Sequence, residues 1–195
     1  MHIYTTLPQK RKSEPYIPSD DDVKRILEEL KGSEYYFATL LACFGLRRGE
    51  ILALTCDDID LDGTVHIRKS LAVDSAGNKV IKLPKTTDSE RDIMIPKEIA
   101  QMIIAQGYVY NRKPGGISEK MREAQDKLGI PRFSLHKLRH YFASKMLTIT
   151  DSKTVQELGG WKTDRVMKTI YAHSMKDEKD KAKRIASERL KEYIL

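Results

Sequence analysis

The stretch SLHKLRH at positions 134–140 sets two side chains suited to phosphate chemistry on one face of a predicted helix. The apolar spacing predicts a helix over 135–147, and His136 and Arg139 lie three residues apart within it, so their side chains point the same way. An imidazole exchanges a proton near neutral pH, whereas a guanidinium can hold two oxygens of one phosphate. The pair therefore indicates a site that acts on a phosphate group.

Two other interpretations of this stretch are open. In the first, both side chains are simply solvated on the helix surface. In the second, His136 and His140 bind a metal, because they are four residues apart like the ligands of a zincin helix. Against the metal, Lys137 stands where that motif has its general-base glutamate, and Arg139 between the histidines would repel a cation. We expect no metal and no cofactor.

Two further stretches carry comparable signals. FGLRRGE at 44–50 has Arg47 directly after a helix-breaking glycine in an apolar neighbourhood, where a buried arginine is costly unless it meets an anion. ELGGW at 157–161 ends in the only tryptophan of the chain, whose indole N–H can donate into a polar site. Each has an ordinary alternative, namely a surface position for Arg47 and a core position for Trp161.

The rest of the chain alternates between helical and strand-like spacing of apolar residues. The first part has helical spacing, with a helix beginning at Ser19, an apolar one over 34–44 and a short third one. Alternation between Val65 and Ile95 predicts a small three-stranded antiparallel sheet. The helices predicted after the sheet span 97–106, 117–128, 135–147, 152–158, 163–171 and 177–193. We therefore expect an α+β fold that is mainly α.

The composition is typical of a soluble globular protein with an anionic partner. The 195 residues include 35 basic and 28 acidic side chains, a formal net charge of +7, which suits nucleic acid. We expect no membrane span, since no apolar run approaches the ~20 residues it needs, and we find no secretory signal. The two cysteines, Cys43 and Cys56, are expected to be buried thiols of a cytoplasmic protein.

Taken in order, the motifs resemble those of the tyrosine recombinase or phage integrase family. The matching stretches are GLRRGE at 45–50, KTTDSER at 85–91, HKLRH at 136–140, LGGW at 158–161 and YAH at 171–173. The resemblance covers about residues 16–175 and implies the catalytic fold of that family. It also implies a site-specific recombinase or integrase that cleaves and rejoins DNA through a 3′-phosphotyrosine intermediate, for integration or excision of a mobile element or phage.

The resemblance implies four central roles. Arg47 and Arg139 correspond to the arginines that hold the scissile phosphate, and Tyr171 corresponds to the nucleophile. Lys85 corresponds to the general acid for the departing 5′ oxygen, although out of context a lysine in such a turn is more often merely exposed. Two guanidiniums can stabilise the charge on the phosphoryl oxygens without a metal, and an ammonium can protonate the leaving alkoxide.

Three further positions are implied to assist. His136 corresponds to a histidine that helps proton transfer, Trp161 to a position held by histidine or tryptophan, and Glu50 to an acidic residue that supports the site. The spacing of ten residues from Trp161 to Tyr171 is one more than is usual in the family. The neighbouring Ala-His after the tyrosine still matches.

The resemblance also divides the chain. Residues 1–18 are basic and contain three prolines, which indicates the remnant of an interdomain linker. Residues 19–195 correspond to the catalytic domain, and the family's N-terminal core-binding domain is expected to be absent. The tail helix over 177–193 has an apolar stripe that needs a partner. Docking on a neighbouring protomer and docking on its own domain are both open.

The implied partners are double-stranded DNA attachment sites and other recombinase protomers, in a tetrameric synapse, with accessory DNA-bending or directionality factors. Two alternatives are a type IB topoisomerase, which shares the chemistry, and a DNA-binding regulator that has lost catalysis. The tail helix favours strand exchange over relaxation. The complete set of site residues argues against the regulator.

Overall fold

A computed structural model describes residues 16–83 and 90–194, without the side chains of 171–181 and 192–194. The helices are α1 (Asp20–Leu30), α2 (Tyr36–Cys43), α3 (Arg48–Ala53), α4 (Lys97–Gln106), α5 (Gly116–Leu128), α6 (Leu135–Met146), α7 (Ser152–Gly159) and α8 (Arg165–Ile194), with a 3₁₀ turn at Cys56–Asp58. The strands are β1 (Thr64–Ile67), β2 (Ser70–Val73), β3 (Lys79–Lys82) and β4 (Arg91–Met94). Most of the predicted helices are confirmed to within one or two residues.

The apolar helix α2 lies at the centre of the core, as its composition predicts. Phe37, Ala38 and Leu41 are buried, since a helix that is apolar on all sides has to be surrounded by protein. This helix packs against α6, which carries the 134–140 stretch. The packing brings the loop that follows α2, with Arg47, next to the helix that carries Arg139.

The fold class is confirmed, but the strands pair differently from the single three-stranded sheet that we predicted. β1 pairs with β4 and β2 pairs with β3, both antiparallel, in two separate sheets. The β1–β4 ladder ends at the pair Ile67 and Arg91, where Arg68 donates from Nη1 to the carbonyl of Arg91 (2.8 Å). The carbonyl of Arg91 is therefore bonded to a side chain at the end of the β1–β4 ladder. The alternating residues that predict one sheet form two separate two-stranded sheets instead.

The C-terminal part of the chain is one helix, α8, and the prediction of separate helices over 163–171 and 177–193 is wrong. The connecting residues AHSMK contain neither glycine nor proline, so nothing in them interrupts a helix. The described side chains of this tail, residues 182–191, are all exposed. They include Ile185, which is 44% exposed, and Leu190, which is 58% exposed. The described part of the domain therefore leaves this apolar stripe uncovered.

Three smaller predictions complete the comparison. Residues 1–15 of the predicted linker lie outside the described part of the chain. Cys43 and Cys56 are free thiols that are half-buried rather than fully buried, and burial raises the pKa of Cys43 to about 12. Across residues 16–83 and 90–194, the helices are too short or too polar to cross a membrane.

Candidate active site

Arg47 is positioned by the turn that ends α2. Gly45 adopts a φ of 88°, which costs little only for glycine, and Arg47 becomes the N-cap residue of α3. Its main-chain N–H donates to Glu50 Oε2 (2.7 Å) and its Nη1 donates to Glu50 Oε1 (2.6 Å). The other terminal nitrogen, Nη2, donates to the carbonyl of Gly160. Glu50 thus holds both the main chain and the side chain of Arg47.

Glu50 is a buried carboxylate that two arginines keep ionised. Only 5% of the residue is exposed. Burial by itself raises the pKa of Glu50, but the hydrogen bonds and charges of Arg91 and Arg47 outweigh it, so that the pKa lies below its usual value. The supporting position that we predicted for Glu50 is therefore occupied by an anion placed between two cations.

Arg91, at the start of β4, is a member of the site to which we assigned no role from the sequence. It donates from Nη1 to Glu50 Oε1 (3.0 Å), from Nη2 to Glu50 Oε2 (2.8 Å) and from Nε to the carbonyl of Leu158 (2.8 Å). A signal was present, because Arg91 stands in strand register with the buried Ile93 and Ile95. An arginine on the inward face of a strand needs a buried anion.

Arg139 is buried, with 1% of the residue exposed. Its Nη1 donates to the carbonyl of Gly45, and its Cζ lies 3.9 Å from the centroid of the Trp161 ring. Within the described part of the chain, Nε and Nη2 have no hydrogen-bond partner. Burial, and then the charge of Arg47, lower the pKa of Arg139 to about 9, so the group is still a cation at neutral pH.

The two predicted arginines are anchored on the same two loops. Arg139 bonds to Gly45 and stacks on Trp161, while Arg47 belongs to the first of these loops and bonds to Gly160 in the second. Two cations held side by side repel each other unless an anion joins them. The unpaired donors of Arg139 are suited to oxygens of such an anion.

Two histidines one turn apart on α6 adjoin these arginines. Partial burial, and then the charges of Arg139, Lys137 and Arg47, lower the pKa of His136. Its ring centroid is 4.6 Å from that of His140. Burial, and then His136, lower the pKa of His140 to about 4. Both imidazoles are therefore neutral at pH 7. His136 is surrounded by protein on one side only and remains accessible to solvent, so it can exchange a proton with a bound group.

Trp161 is half-buried, and its ring, rather than the indole N–H that we considered, contacts both the core and the cationic site. Gly160 ends α7 with a φ of 64°, and the main-chain N–H of Trp161 donates to the main-chain carbonyl of Gln156 (2.9 Å). The indole packs against a small apolar cluster that contains Met167 and Ile170. Its face covers Arg139 at the same time, so the ring joins the core to the cationic site.

Of two further predicted site residues, the structure describes only the backbone of one and no part of the other. Lys85 falls in 84–89, outside the described residues, between β3 and β4. Tyr171 lies on α8, but its side chain is not described. The preceding residue, Ile170, is buried, and α8 packs against α6 and α7. The backbone at Tyr171 thus belongs to a helix that contacts the two helices beside the arginines.

A cleft of about 160 Å³ adjoins Arg47. Its lining consists of Arg47, Glu50, Ile67, Lys69, Ser70, Lys82 and Leu83. Lys69 is paired with Asp58 at 2.8 Å, and Lys82 is exposed. No group of three His, Cys, Asp or Glu residues in the described ranges is arranged to hold a metal ion. The described residues can therefore bind an anion with guanidiniums beside a neutral imidazole.

Comparison with known proteins gives a consistent result. The model of the phage integrase family matches residues 19–178. A tyrosine recombinase XerC-like protein of Caldanaerobacter subterraneus subsp. tengcongensis is 28% identical over an alignment of 202 positions, gaps included. The alignment covers 84% of this chain and 52% of that protein. The tyrosine recombinase XerC of Alcanivorax borkumensis is 30% identical over 145 residues, covering 69% of this chain and 45% of that protein. The chain thus spans about half the length of these curated relatives.

The fold is also shared with a solved structure. The integrase of the Tn1549 transposon, in complex with transposon right-end DNA, superposes with a TM-score of 0.71 over 90% of this chain and 68% of that one. The two sequences are 19% identical, so this likeness concerns the fold alone.

Proposed function

The chain belongs to the phage integrase family, and from this premise we propose that it is the catalytic domain of a site-specific tyrosine recombinase. In this proposal it cleaves and rejoins DNA strands through a 3′-phosphotyrosine intermediate, in the integration or excision of a mobile element or phage.

One observation carries the proposal. Arg139 is buried, cationic at neutral pH and has two N–H donors without an acceptor in the described part of the chain. A buried guanidinium is stable only with an anion. Among the described residues, Glu50 is the carboxylate whose charge acts on Arg139, and it is already shared by Arg47 and Arg91. A phosphodiester offers two oxygens at the spacing of the guanidinium fork. The scissile phosphate of DNA is therefore our proposed occupant.

The proposed reaction exchanges one phosphate ester for another. The hydroxyl oxygen of Tyr171 attacks the scissile phosphorus, and the bond from phosphorus to the 5′ oxygen breaks. Lys85 protonates that oxygen, so that a free 5′ hydroxyl leaves. Arg47 and Arg139 stabilise the negative charge on the non-bridging oxygens, and the neutral His136 takes part in the transfer of the tyrosine proton. Attack by a 5′ hydroxyl reverses these steps and rejoins the strand without an external energy source.

The proposed partners follow from the charge and the reaction. A net charge of +7 favours association with the phosphate backbone of duplex DNA. Exchange of strands between two duplexes requires several protomers, so we propose assembly with further copies of the protein on attachment sites in the cytoplasm, with accessory DNA-bending or directionality factors.

The test is the capture of a covalent adduct. The protein is incubated with a pool of nicked duplexes that have a randomised core, and SDS-resistant complexes are isolated and sequenced. We expect an adduct that maps to Tyr171 by mass spectrometry, forms in EDTA and is absent in Tyr171→Phe. The matched control Tyr108→Phe, on the loop after α4, should form the adduct normally.

Other outcomes point elsewhere. An adduct in Tyr171→Phe contradicts the assignment of the nucleophile, and loss of the adduct in EDTA contradicts metal-free cleavage. DNA binding without any adduct indicates the inactive regulator. Relaxation of supercoiled plasmid without strand exchange indicates the topoisomerase.

A further inference from the structure

Arg91 is a buried arginine that touches only other parts of the protein. Its side chain is 8% exposed, and it donates hydrogen bonds to the two carboxylate oxygens of Glu50 and to the carbonyl of Leu158. A bound phosphate would meet Arg47, whose side chain is 40% exposed, before it could meet Arg91. Arg91 therefore acts on the reaction without touching the phosphate, through its charge, through Glu50 or through the end of α7.

The carboxylate of Glu50 is divided between two arginines. Oε1 accepts from Arg47 Nη1 (2.6 Å) and from Arg91 Nη1 (3.0 Å). Oε2 accepts from the main-chain N–H of Arg47 (2.7 Å) and from Arg91 Nη2 (2.8 Å). Each oxygen thus serves both residues, and Arg91 approaches the carboxylate with the full fork of its guanidinium.

This division has an electrostatic consequence. Glu50 orients Arg47, but a single carboxylate paired with a single guanidinium would cancel its charge and compete with a phosphate for it. With Arg91 included, the group of three residues has a net charge of +1, and Arg139 adds a second positive charge beside it. Because the side chains of Arg91 and Glu50 are poorly exposed to water, a change of one unit charge at either residue has a large effect on a bound anion.

We propose that Arg91 is a positioning residue: it balances the Glu50 carboxylate from the buried side, and so leaves the charge of Arg47 available to the scissile phosphate. The inference rests on the proposed function for the identity of the phosphate, but the anion site itself can be tested without DNA. The competing interpretation is that Arg91 merely fastens β4 to α7 through Leu158.

The test uses inorganic phosphate as the probe and the fluorescence of Trp161, the only tryptophan in the chain, as the signal. Arg91→Gln should weaken phosphate binding by roughly tenfold or more, because the remaining carboxylate then cancels Arg47. The double variant Arg91→Gln/Glu50→Gln removes one charge of each sign and keeps an amide oxygen that can accept from Arg47. It should bind phosphate at least about threefold more tightly than Arg91→Gln does, because the charge of Arg47 is no longer cancelled, and less tightly than the wild type, because one amide oxygen cannot accept both bonds of Arg47.

A structural fastener would behave differently. If Arg91 only held β4 against α7, the second substitution would give no recovery, and a double variant as weak as Arg91→Gln would overturn the proposal. Unchanged phosphate binding in Arg91→Gln would overturn it as well. Arg132→Gln is the matched control, because Arg132 makes an exposed two-pronged pair with Asp126 (2.8 and 2.7 Å) and not with Glu50, and it should bind phosphate normally.

Arg91→Lys covers the case in which Arg91→Gln does not fold. It keeps the positive charge and loses the fork, so phosphate binding should stay within about threefold of the wild type. A folded Arg91→Lys protein that has lost phosphate binding would contradict the role of charge. The same four variants are then assayed for adduct formation on the duplexes recovered with the wild type. Wild-type protein that binds phosphate but forms no adduct contradicts the proposed function and leaves the test of Arg91 intact.

Discussion

The guanidinium carbon Cζ of Arg139 lies over the ring of Trp161, 3.9 Å from its centroid. The contact is electrostatic, since the face of an indole is the negative part of its quadrupole, and it also shields the cation from water. The indole N–H is not needed for this contact. Position 161 therefore requires the face of an aromatic ring, which the turn after α7 places against Arg139.

Trp161→Phe should accordingly retain most of the activity, and Trp161→Ala should not. A cation–π contact in a desolvated place contributes about 2 kcal/mol, so we expect Trp161→Ala to slow adduct formation by at least tenfold. Single-turnover cleavage and urea unfolding of both variants measure this. Equal activity of Trp161→Ala and Trp161→Phe would mean that the ring serves only the apolar cluster around Met167.

Gly160→Ala should damage the site more than the fold. A Cβ there would lie 3.0 Å from Arg91 Nη1 and 3.4 Å from Arg47 Nη1. Gly129 ends α5 with a similar φ of 62°, but a Cβ at that position meets nothing within 4 Å. Both substitutions carry the strain of a left-handed alanine, about 1 kcal/mol, so both should lower the free energy of unfolding to a similar extent.

Only Gly160→Ala should also reduce phosphate binding and adduct formation, because only there does the methyl group reach the arginines. The measurements are thermal unfolding and Trp161 fluorescence in parallel. A parallel loss in Gly129→Ala would show that the effect is one of global stability.

Part of this site could be predicted from the sequence and part could not. The arginines and histidines are marked by local signals, namely a glycine before Arg47 and the helical spacing of His136 and Arg139. The ion pair of Arg91 with Glu50 joins residues 41 positions apart, and nothing local specifies the partner. Similarly, β4 pairs with β1 rather than with its neighbour β3, because strand pairing is decided by non-local packing.

The errors at the C-terminus have a different cause. The prediction of separate helices over 163–171 and 177–193 places a boundary at residues 172–176, although these residues include no helix breaker. A continuous helix is predicted from the absence of a helix-breaking residue, and such an absence is weaker evidence than the presence of a breaker.

Conservative substitution of the two arginines should be severe. A lysine ammonium cannot hold two phosphate oxygens, so Arg47→Lys and Arg139→Lys should each slow cleavage by roughly a hundredfold or more. The exposed Arg122→Lys on α5 is the control and should cleave normally. Near-normal rates in both site variants would reduce Arg47 and Arg139 to a structural role.

The two histidine environments should give opposite dependences of stability on pH. Burial lowers the pKa of His140 from 6.5 to about 4, so the unfolded chain binds the extra proton between these values. The stability that the neutral ring contributes is present above pH 6.5 and is lost as the pH falls towards 4, with a slope of at most about 1.4 kcal/mol per pH unit. His140→Phe should flatten this acid limb in chemical unfolding.

His66 has the reverse sign. Its ring bonds to Asp92 (2.9 Å) and Asp60 (3.0 Å), and these hydrogen bonds raise the pKa of His66. Its contribution is therefore present below the unfolded pKa and is lost as the pH rises through the folded one. His66→Gln should destabilise the protein more at about pH 6 than at about pH 9. The same pH profile for His66→Gln and His140→Phe would contradict both assignments.

The last prediction concerns the exposed tail of α8. Ile185 and Leu190 are 44% and 58% exposed, and the other described side chains over 182–191 are exposed as well. Deletion of residues 177–195 should therefore leave the free energy of unfolding nearly unchanged, because no described core contact is removed.

An apolar stripe on a helix is stabilised by burial, so in the assembled complex we expect it to dock on another protomer. The truncated protein should then form the Tyr171 adduct on single sites but fail to assemble on paired sites, as followed by analytical ultracentrifugation with the recovered duplexes. The variant Ile185→Gln/Leu190→Gln, which keeps the helix and removes only the stripe, should reproduce the assembly defect. Unfolding of the truncated protein would instead indicate docking on its own domain, and intact assembly of the double variant would exclude the stripe as the contact.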